Sequence, residues 1–208
     1  MTLPHGVERR TIGDRTSLAT RGEPVYGEPT DGEWRSWDPY RSKLGAMFDV
    51  GMDVALDGGE TTLYLGAAAG TTVSHVADFC GPTYAVEFAA RPARDLLDAA
   101  TSRSNLFPLL KDARKPETYA HVVEPVDVIM QDVATRGQAD VALANRLFLE
   151  DDGLLLLAIK ARSEDVVGVP ADVFDEVLSD LSQGYEVVST ESLSPYHDDH
   201  LGVIARPQ

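Results

Sequence analysis

Cysteine, lysine and long apolar runs are all scarce in this sequence of 208 residues, and each scarcity excludes a class of protein. Cys80 is the single cysteine, so the chain cannot form an internal disulfide. The longest strongly apolar run, residues 154–159, is far too short to cross a bilayer. Because the N-terminal stretch MTLPHGVERR has no apolar core behind its charges, we predict no secretory signal, no membrane segment and a cytoplasmic location.

Positive charge is also in short supply. The sequence has 18 lysines and arginines, of which four are lysine, and 34 acidic residues, so the formal net charge is −16. Aspartate outnumbers glutamate 21 to 13, which resembles proteins from organisms with a salty cytoplasm, where salt screens the repulsion between carboxylates. The total charge argues against a polyanionic partner, but its distribution is uneven. Residues 91–115 carry six bases and three acids, and residues 1–43 carry seven of each.

Residues 1–38 are predicted to form a small β domain. Short strand-like stretches alternate there with glycines at positions 6, 13, 22, 27 and 32, which is typical of hairpins. The pattern changes at Asp38, which is suited to cap a helix that Pro39 opens. We predict that this helix ends at Gly58-Gly59 and that a second domain covers residues 39–208.

The second domain alternates strand-like runs with helical segments. The runs are continuously apolar, which is typical of strands buried on both faces of a mostly parallel α/β sheet. No helical segment separates the last two strands, near residues 185–192 and 201–205, so we expect an antiparallel hairpin at the sheet edge. The preceding strand-like runs are TLYLG, TYAVEF, LFPLL, VDVIMQD and GLLLLAIK. One helical segment follows each run in turn, at residues 72–79, 92–100, 116–121, 138–149 and 171–181.

A glycine-rich turn follows the first strand of the second domain, at the sheet edge where such folds bind ligands. The turn reads GAAAGTT from Gly66 to Thr72 and leads into a helix. Small residues let the backbone approach a ligand, and the free amides of a helix start suit a negative group. Glu87 lies 21 residues after Gly66, close to the spacing at which an acid binds a nucleotide ribose. Together these features favour a nucleoside-containing cofactor.

Charged residues also end the later strands. Asp112 follows the third strand, where it either binds an adenine amino group or simply precedes a helix. Asp132 ends the fourth strand, and Lys160 ends the wholly apolar fifth strand. A partly buried carboxylate needs a partner, and neighbouring strands bring these two residues to one rim. The pair is either a structural ion pair or a functional one, and the scarcity of lysine favours function.

Several common catalytic motifs are missing from the sequence. No GKS or GKT follows the glycine turn, which disfavours an NTPase, and no GxSxG motif for hydrolase chemistry occurs. The histidines have no zinc-like spacing, and the carboxylates near His197 and His200 are typical of a solvated turn. We therefore predict no metal site.

Eight stretches of the chain resemble successive motifs of archaeal fibrillarin, the 2′-O-methyltransferase of box C/D guide-RNA complexes. They are TRGEPVYGEP, WDPYRSKLGA, YLGAAAGTTVSHVADFCG, YAVEFAARPARDL, KDARKPETY, VDVIMQDVA, LLAIKARSEDV and SPYHDDHLGVI. The resemblance implies a Rossmann-like fold, that of class I S-adenosylmethionine-dependent methyltransferases. This fold has a seven-stranded, mostly parallel sheet with a terminal antiparallel hairpin, here preceded by the small β domain.

The resemblance also implies roles for individual residues. The family's Lys-Asp-Lys-His active-site pattern matches Lys43, Asp132, Lys160 and His200, although Lys43 could instead be a helix-face charge and His200 a surface residue. Thr135 stands where relatives often have glutamine, and Gln138 is close enough in sequence to compensate. The implied contacts to S-adenosyl-L-methionine are Gly66, Gly70, Thr71 and Thr72 for the methionine part, Glu87 for the ribose, Phe88, Asp112 and Ala113 for the adenine, and Asp132, Val133, Ala134, Thr135 and Gln138 to complete the pocket.

The activity implied by the resemblance is methylation of ribose 2′-hydroxyls in ribosomal and transfer RNA. In the family, a box C/D guide RNA pairs with the target, while a Nop-domain scaffold protein and a kink-turn-binding ribosomal-type protein build the particle. We hypothesise that Lys160 contacts the 2′-oxygen and that Asp132 orients it. We expect RNA to approach across the N-terminal domain and residues 91–115, the basic stretch. The alternative is that the lysines and arginines of this stretch merely offset nearby acids. The bases concerned include Arg91, Arg94, Arg103, Arg114 and Lys115.

Three other classes of protein fit part of this pattern. A methyltransferase acting on a protein glutamine would share the whole cofactor pocket. A nicotinamide-dependent oxidoreductase could use the glycine turn and Glu87, but it leaves Asp132, Lys160 and His200 unexplained. A non-catalytic assembly subunit is the third alternative.

Overall fold

A computed structural model describes residues 2–208 and begins with a four-stranded antiparallel sheet. Its strands are β1 (Val7–Ile12), β2 (Arg15–Arg21), β3 (Thr30–Asp31) and β4 (Trp34–Trp37), in the order β1-β2-β4-β3. Gly13 turns the first hairpin with a φ of +62°, a conformation that glycine adopts at little cost. The predicted small β structure at the N-terminus is therefore present.

The first helix, α1 (Lys43–Asp49), begins later and ends earlier than the sequence predicts. Asp38 does not cap it, because residues 38–41 form a turn in which the Tyr40 N–H donates to Asp38 Oδ1 at 3.0 Å. Ser42 is the N-cap instead, and its Oγ accepts a 3.0 Å hydrogen bond from the Gly45 N–H. Two polar residues four positions apart can both cap a helix, and the turn occupies the first.

The remaining elements follow the predicted alternation of strands and helices. Several boundaries shift by a few residues. The helix expected to reach residue 149 ends at residue 145, and the fifth parallel strand begins at residue 149 instead of residue 153. A short helix that the sequence does not predict follows that strand. The elements are β5 (Thr62–Leu65), α2 (Thr71–Phe79), β6 (Thr83–Glu87), α3 (Ala90–Ala100), β7 (Leu106–Leu110), β8 (Val126–Gln131), α4 (Gln138–Asn145), β9 (Leu149–Lys160), α5 (Ala161–Glu164), α6 (Pro170–Leu181), β10 (Tyr185–Ser192) and β11 (His200–Pro207), with 3₁₀ turns at Pro116–Thr118 and Arg146–Phe148.

These strands form one seven-stranded sheet in the order β10-β11-β9-β8-β5-β6-β7. Strands β5 to β9 pair in parallel, whereas β11 runs antiparallel to both β9 and β10. The predicted fold class, including the terminal antiparallel hairpin, is confirmed. Chain order reverses at β5, where β6 lies on one side and β8 on the other, and this is the point at which open α/β sheets bind ligands.

Buried side chains form a core on each face of the large sheet, and the small sheet shares one of them. Trp37 of β4 is fully buried, with its ring 5.8 Å from Phe48 of α1 and 6.0 Å from Phe79 of α2. A domain boundary at residue 38 stays a prediction, since this shared core joins the two sheets. Among residues 2–208, every helix is too short or too polar to span a membrane.

Candidate active site and cofactor pocket

A pocket of about 310 Å³ opens at the carboxyl ends of the parallel strands. It lies beside β5, at the reversal of strand order, where the sequence predicts a ligand. Most of the predicted site residues line it, together with several that the sequence did not single out. The lining residues are Lys43, Gly66, Ala68, Val86, Glu87, Phe88, Lys111, Asp112, Ala113, Arg114, Asp132, Val133, Ala134, Thr135, Val141 and Lys160.

Gly66 ends β5 at the point where two loops touch. Its φ is +85°, and a Cβ there would lie 2.6 Å from the Asp132 carbonyl oxygen. The N–H groups of Gly66 and Ala67 both donate to the Val86 carbonyl, at 3.0 and 3.1 Å. Only glycine fits this conformation and this space, so the turn holds the loop that carries Asp132 against the floor of the pocket.

Glu87 accepts two backbone hydrogen bonds, one of them from the glycine turn. Its Oε2 accepts from the Ala68 N–H at 2.9 Å, and its Oε1 accepts from the Ala89 N–H at 2.7 Å. Each carboxylate oxygen has a further lone pair with which to accept a bond from a ribose hydroxyl. Phe88 follows with 69% of its surface exposed on the pocket wall, an unusual exposure for an apolar ring and one that suits stacking on a flat base.

Gly70, Thr71 and Thr72 lie at the start of α2, outside the pocket lining. Gly70 is the N-cap with a φ of +90°, and a Cβ there would lie 3.1 Å from the Ala99 Cβ of α3. No side chain caps the first turn of α2, so its amides are available to a carboxylate. These three residues therefore form the end of the glycine-rich turn and do not line the cavity.

Asp112 and Ala113 line the opposite side of the pocket. The Arg114 side chain clasps the Asp112 carboxylate with Nη2–Oδ2 and Nε–Oδ1 distances of 2.7 and 2.9 Å, and this hydrogen bonding lowers the Asp112 pKa. Asn145 of α4 donates to the Ala113 carbonyl at 2.8 Å and fixes the loop. Asp112 is therefore an ionised acceptor at the rim.

Asp132 faces two ammonium groups. Lys160 Nζ lies 2.7 Å from its Oδ1, and Lys43 Nζ lies 3.5 Å from its Oδ2. The Lys160 ammonium makes its aligned hydrogen bond to the Asp132 carbonyl, at 3.3 Å, so the buried Oδ1 has an ion pair but no aligned donor. The structure thus brings the two predicted lysines and the predicted aspartate together at the pocket mouth, with side chains 14–23% exposed.

His200 begins β11 directly opposite Lys160 in the β9–β11 register. Its Nδ1 donates to the Asp198 carbonyl at 2.6 Å, because a carbonyl can only accept, and the neutral ring therefore keeps Nε2 as an acceptor. Burial lowers the His200 pKa below 6.5, and the nearby Lys43 and Lys160 add to this effect. Lys43, Asp132 and Lys160 therefore line the pocket, and His200 lies beside Lys160 outside the lining.

Four more predicted cofactor contacts follow Asp132 along the chain. Val133, Ala134 and Thr135 line the pocket, whereas Gln138 is fully buried outside it and bonds to the Lys160 backbone. Gln138 therefore does not stand in for Thr135 at the cavity wall.

Five lining residues were not predicted as catalytic or cofactor contacts, namely Ala68, Val86, Lys111, Arg114 and Val141. Ala68 has a φ of +47°, and a small residue inside the glycine turn was the available signal. Lys111 lies beside Asp112 at a strand end. That position led to a prediction for Asp112 but not for Lys111. The interactions that bury Gln138 join residues distant in sequence, so no local pattern signals them.

One residue of the basic stretch has a structural role instead of an RNA-facing one. Arg103 is 6% exposed and pairs with Asp78 at 3.0 Å, so it cannot present its charge to RNA. Arg91 and Arg94 are exposed on α3, so their charges are accessible to RNA. Among residues 2–208, no group of three histidines, cysteines or acids is arranged to hold a metal ion.

The fold and the pocket define the class of protein. A sheet of this order, with a glycine turn after β5, an acid after β6 and an exposed aromatic beside it, is the domain of a class I methyltransferase. The pocket fits the cofactor of that class: ribose acceptors at Glu87, a flat apolar wall at Phe88, and a buried Asp132 oxygen without an aligned donor.

Comparison with known proteins identifies the family. A model described as Fibrillarin matches residues 7–208. The fibrillarin-like rRNA/tRNA 2′-O-methyltransferase of Haloarcula marismortui is 73% identical over 208 residues, covering 100% of this chain and 99% of that protein. The chain belongs to the fibrillarin family, which confirms the resemblance seen in its motifs.

Two solved structures have the same fold over the full length of the chain. Fibrillarin in a complex with Nop5p superposes with a TM-score of 0.91 at 40% identity, covering 100% of both chains. Aeropyrum pernix fibrillarin with natively bound S-adenosyl-L-methionine has a TM-score of 0.84 at 39% identity, covering 99% of this chain and 100% of that one.

Proposed function

We propose that this protein transfers a methyl group from S-adenosyl-L-methionine to ribose 2′-hydroxyls of ribosomal and transfer RNA, directed by a box C/D guide RNA. The observation that carries the proposal is the group formed by Asp132, Lys160 and Lys43 at the mouth of a nucleoside-sized pocket, with His200 paired beside Lys160. Full-length similarity to proteins named for this reaction supports it.

The residues around the pocket are suited to hold the cofactor. Glu87 accepts from the ribose hydroxyls, Phe88 stacks on the adenine, and Asp112 accepts from the adenine amino group. The open first turn of α2, at Gly70 to Thr72, attracts the carboxylate of the methionine part. When bound, the cofactor supplies a methyl group made electrophilic by the adjacent sulfonium.

The side chains at the pocket mouth place and activate the RNA hydroxyl. Lys160 donates to the 2′-oxygen and stabilises the negative charge that grows there as the O–H proton passes to solvent water. Asp132 holds the Lys160 ammonium in place, and Lys43 adds positive charge from α1. His200, neutral with a free Nε2, orients the hydroxyl from its position beside Lys160. Positioning of this kind can supply a large part of a rate enhancement.

Partner molecules supply the sequence selectivity. The solved complex of fibrillarin with Nop5p supports a Nop-domain scaffold as one partner. We further propose a kink-turn-binding ribosomal-type protein and the guide RNA as the others, with target RNA crossing the N-terminal sheet and the exposed Arg91 and Arg94. A particle that modifies ribosomal and transfer RNA works in the cytoplasm of an archaeal cell.

The decisive experiment is methylation of a target RNA by the reconstituted particle at high salt, with and without guide RNA. We expect methyl transfer to one ribose only when the guide is present, and its loss in Lys160→Ala with cofactor binding retained. Full activity of Lys160→Ala contradicts the proposed role of that residue. Methyl transfer to a protein glutamine without guide RNA would replace the proposal with a protein methyltransferase.

A further inference from the structure

Gln138 begins α4 with its side chain fully buried behind the pocket. Its Oε1 accepts a 2.9 Å hydrogen bond from the Lys160 backbone N–H, and its Nε2 donates one of 3.1 Å to the Lys160 carbonyl. Both polar atoms of the amide are thus occupied by the backbone of one residue, whose ammonium pairs with Asp132.

The same residue is also bonded to the strand that carries Asp132. Gln131, the residue before Asp132, donates from its Nε2 to the Gln138 carbonyl at 2.7 Å. Gln138 therefore connects the end of β8 to the end of β9, the two strands that supply the Asp132–Lys160 pair.

Glu164 holds the helix start from the opposite direction. Its Oε1 and Oε2 accept from the backbone N–H groups of Gln138 and Gly137 at 2.6 and 2.9 Å. These are first-turn amides of α4 that no side chain of the helix itself caps. Glu164 ends the short helix α5, four residues after Lys160. The segment 160–164 and the start of α4 therefore bond to each other in both directions: Gln138 holds Lys160, and Glu164 holds Gln138.

We propose that Gln138 is a positioning residue: it fixes the Lys160 backbone so that the ammonium meets Asp132 and the RNA 2′-oxygen together. The inference rests on the proposed function. It differs from a cofactor contact, because the amide is fully buried outside the pocket lining and bonds to the Lys160 backbone. A displacement of about 1 Å in a catalytic group lowers the rate steeply.

The test compares Gln138→Met with wild type and with Tyr185→Phe in the reconstituted guide-RNA particle. Methionine has a similar shape but forms neither hydrogen bond. Tyr185→Phe removes another buried bond to α4, 3.2 Å to the Ala142 carbonyl, and does not touch Lys160. We expect Gln138→Met to lower kcat about tenfold or more while KM for S-adenosyl-L-methionine stays within about twofold. Hydrogen exchange at the Lys160 amide should accelerate in that variant alone.

Gln138→Glu supplies a second variant that keeps the acceptor for the Lys160 N–H and loses the donor to its carbonyl. We expect its kcat to lie between those of wild type and Gln138→Met, and it decides the matter if the methionine variant does not fold. Wild-type kcat in the Gln138 variants, or an equal loss in Tyr185→Phe, would overturn the positioning role. An inactive wild-type particle would instead overturn the proposed function.

Discussion

Asp132 makes three contacts at the site, two through its carboxylate and one through its backbone carbonyl. Lys160 lies 2.7 Å from one of its oxygens, Lys43 lies 3.5 Å from the other, and its backbone carbonyl approaches Gly66 so closely that no side chain fits there. The charge of the site and the shape of the cofactor turn therefore meet at one residue. A substitution at Asp132 tests the charge of the site, and a substitution at Gly66 tests the shape of the turn.

The charge of Asp132 is isolated by Asp132→Asn, which keeps the shape of the side chain. Two ammonium groups then lose their counter-charge, and Lys160 loses the group that orients it. We expect guide-dependent methylation to fall about 100-fold or more, a loss typical of removing a preorganised electrostatic group. Single-turnover kinetics in the reconstituted particle measures this, and Asp172→Asn on the exposed face of α6 is the matched control. An Asp132→Asn rate within about threefold of wild type would contradict the role of the carboxylate.

The shape of the turn is isolated by Gly66→Ala. The new Cβ would sit 2.6 Å from the Asp132 carbonyl oxygen at a φ of +85°. We expect a loss of stability of roughly 2–4 kcal/mol in denaturant unfolding, together with weaker cofactor binding. Gly59→Ala is the control, because Gly59 has a φ of +102° but no atom within 4 Å of the added Cβ. If both variants lose the same stability, the clash is not the cause.

At the scale of elements, the N-terminal sheet is joined to the large domain by buried charges. Arg35 of β4 is fully buried and pairs with Glu28 and with Asp78 of α2, the latter at 2.7 Å. Arg103, just after α3, completes the network at 3.0 Å from Asp78. Breaking such a pair leaves an uncompensated buried charge, which costs far more than breaking a surface pair. The network therefore fixes how the small sheet sits against α2 and α3.

His75 of α2 lies inside this joint and predicts how stability depends on pH. Its Nδ1 and Nε2 lie 2.7 Å from the Thr20 hydroxyl and 2.9 Å from the Tyr26 hydroxyl, and burial, assisted by Arg35, lowers its pKa well below 6.5. The unfolded chain therefore binds a proton below about pH 6.5 that the native state does not. Stability is complete above that pH and falls as the pH decreases towards the lowered pKa.

Denaturant unfolding at pH 5 to 7.5 measures this dependence. We expect a slope of up to about 1.4 kcal/mol per pH unit from His75 below pH 6.5. His75→Gln should remove that part of the slope, whereas His121→Gln at an exposed position should leave it unchanged. Identical slopes in wild type and His75→Gln would show that His75 is protonated equally in both states.

For the whole molecule, the sequence predicts the fold class and most of the pocket. Continuous apolar runs are a local signal, and each of the strands they predict is present. Glu87 and Lys160 end strands, and Gly66 and Asp132 directly follow strands. Parallel strands bring their carboxyl ends to one edge, so the convergence of these four residues follows from topology.

Other features depend on contacts between distant residues and leave no local pattern. Arg103 looks like a surface base in the sequence, and only the position of Asp78 in the fold shows that it is buried. Gln138 looks like a cofactor contact by its spacing, and only the register of β9 against α4 brings its amide to Lys160. Likewise, the choice between Asp38 and Ser42 as helix cap depends on the turn between them.

The surplus of 16 negative charges makes a prediction for the molecule as a whole. Self-repulsion destabilises the compact state, and the screening length falls from about 10 Å at 0.1 M salt to about 3 Å at 1 M. We expect the urea midpoint of unfolding to rise with KCl over this range. A variant carrying Asp151→Asn and Asp152→Asn, two exposed positions, should gain less from the same salt. A midpoint that falls with KCl would exclude repulsion as the dominant effect.

The placement of β11 ties one edge of the large sheet to the reaction centre. Within the sheet, β10 has β11 as its one neighbour, and β11 fills the gap between β10 and β9. This arrangement sets His200, the first residue of β11, directly opposite Lys160. A change that detaches β11 from β9 would therefore unpair β10 and displace His200 from Lys160 in a single event.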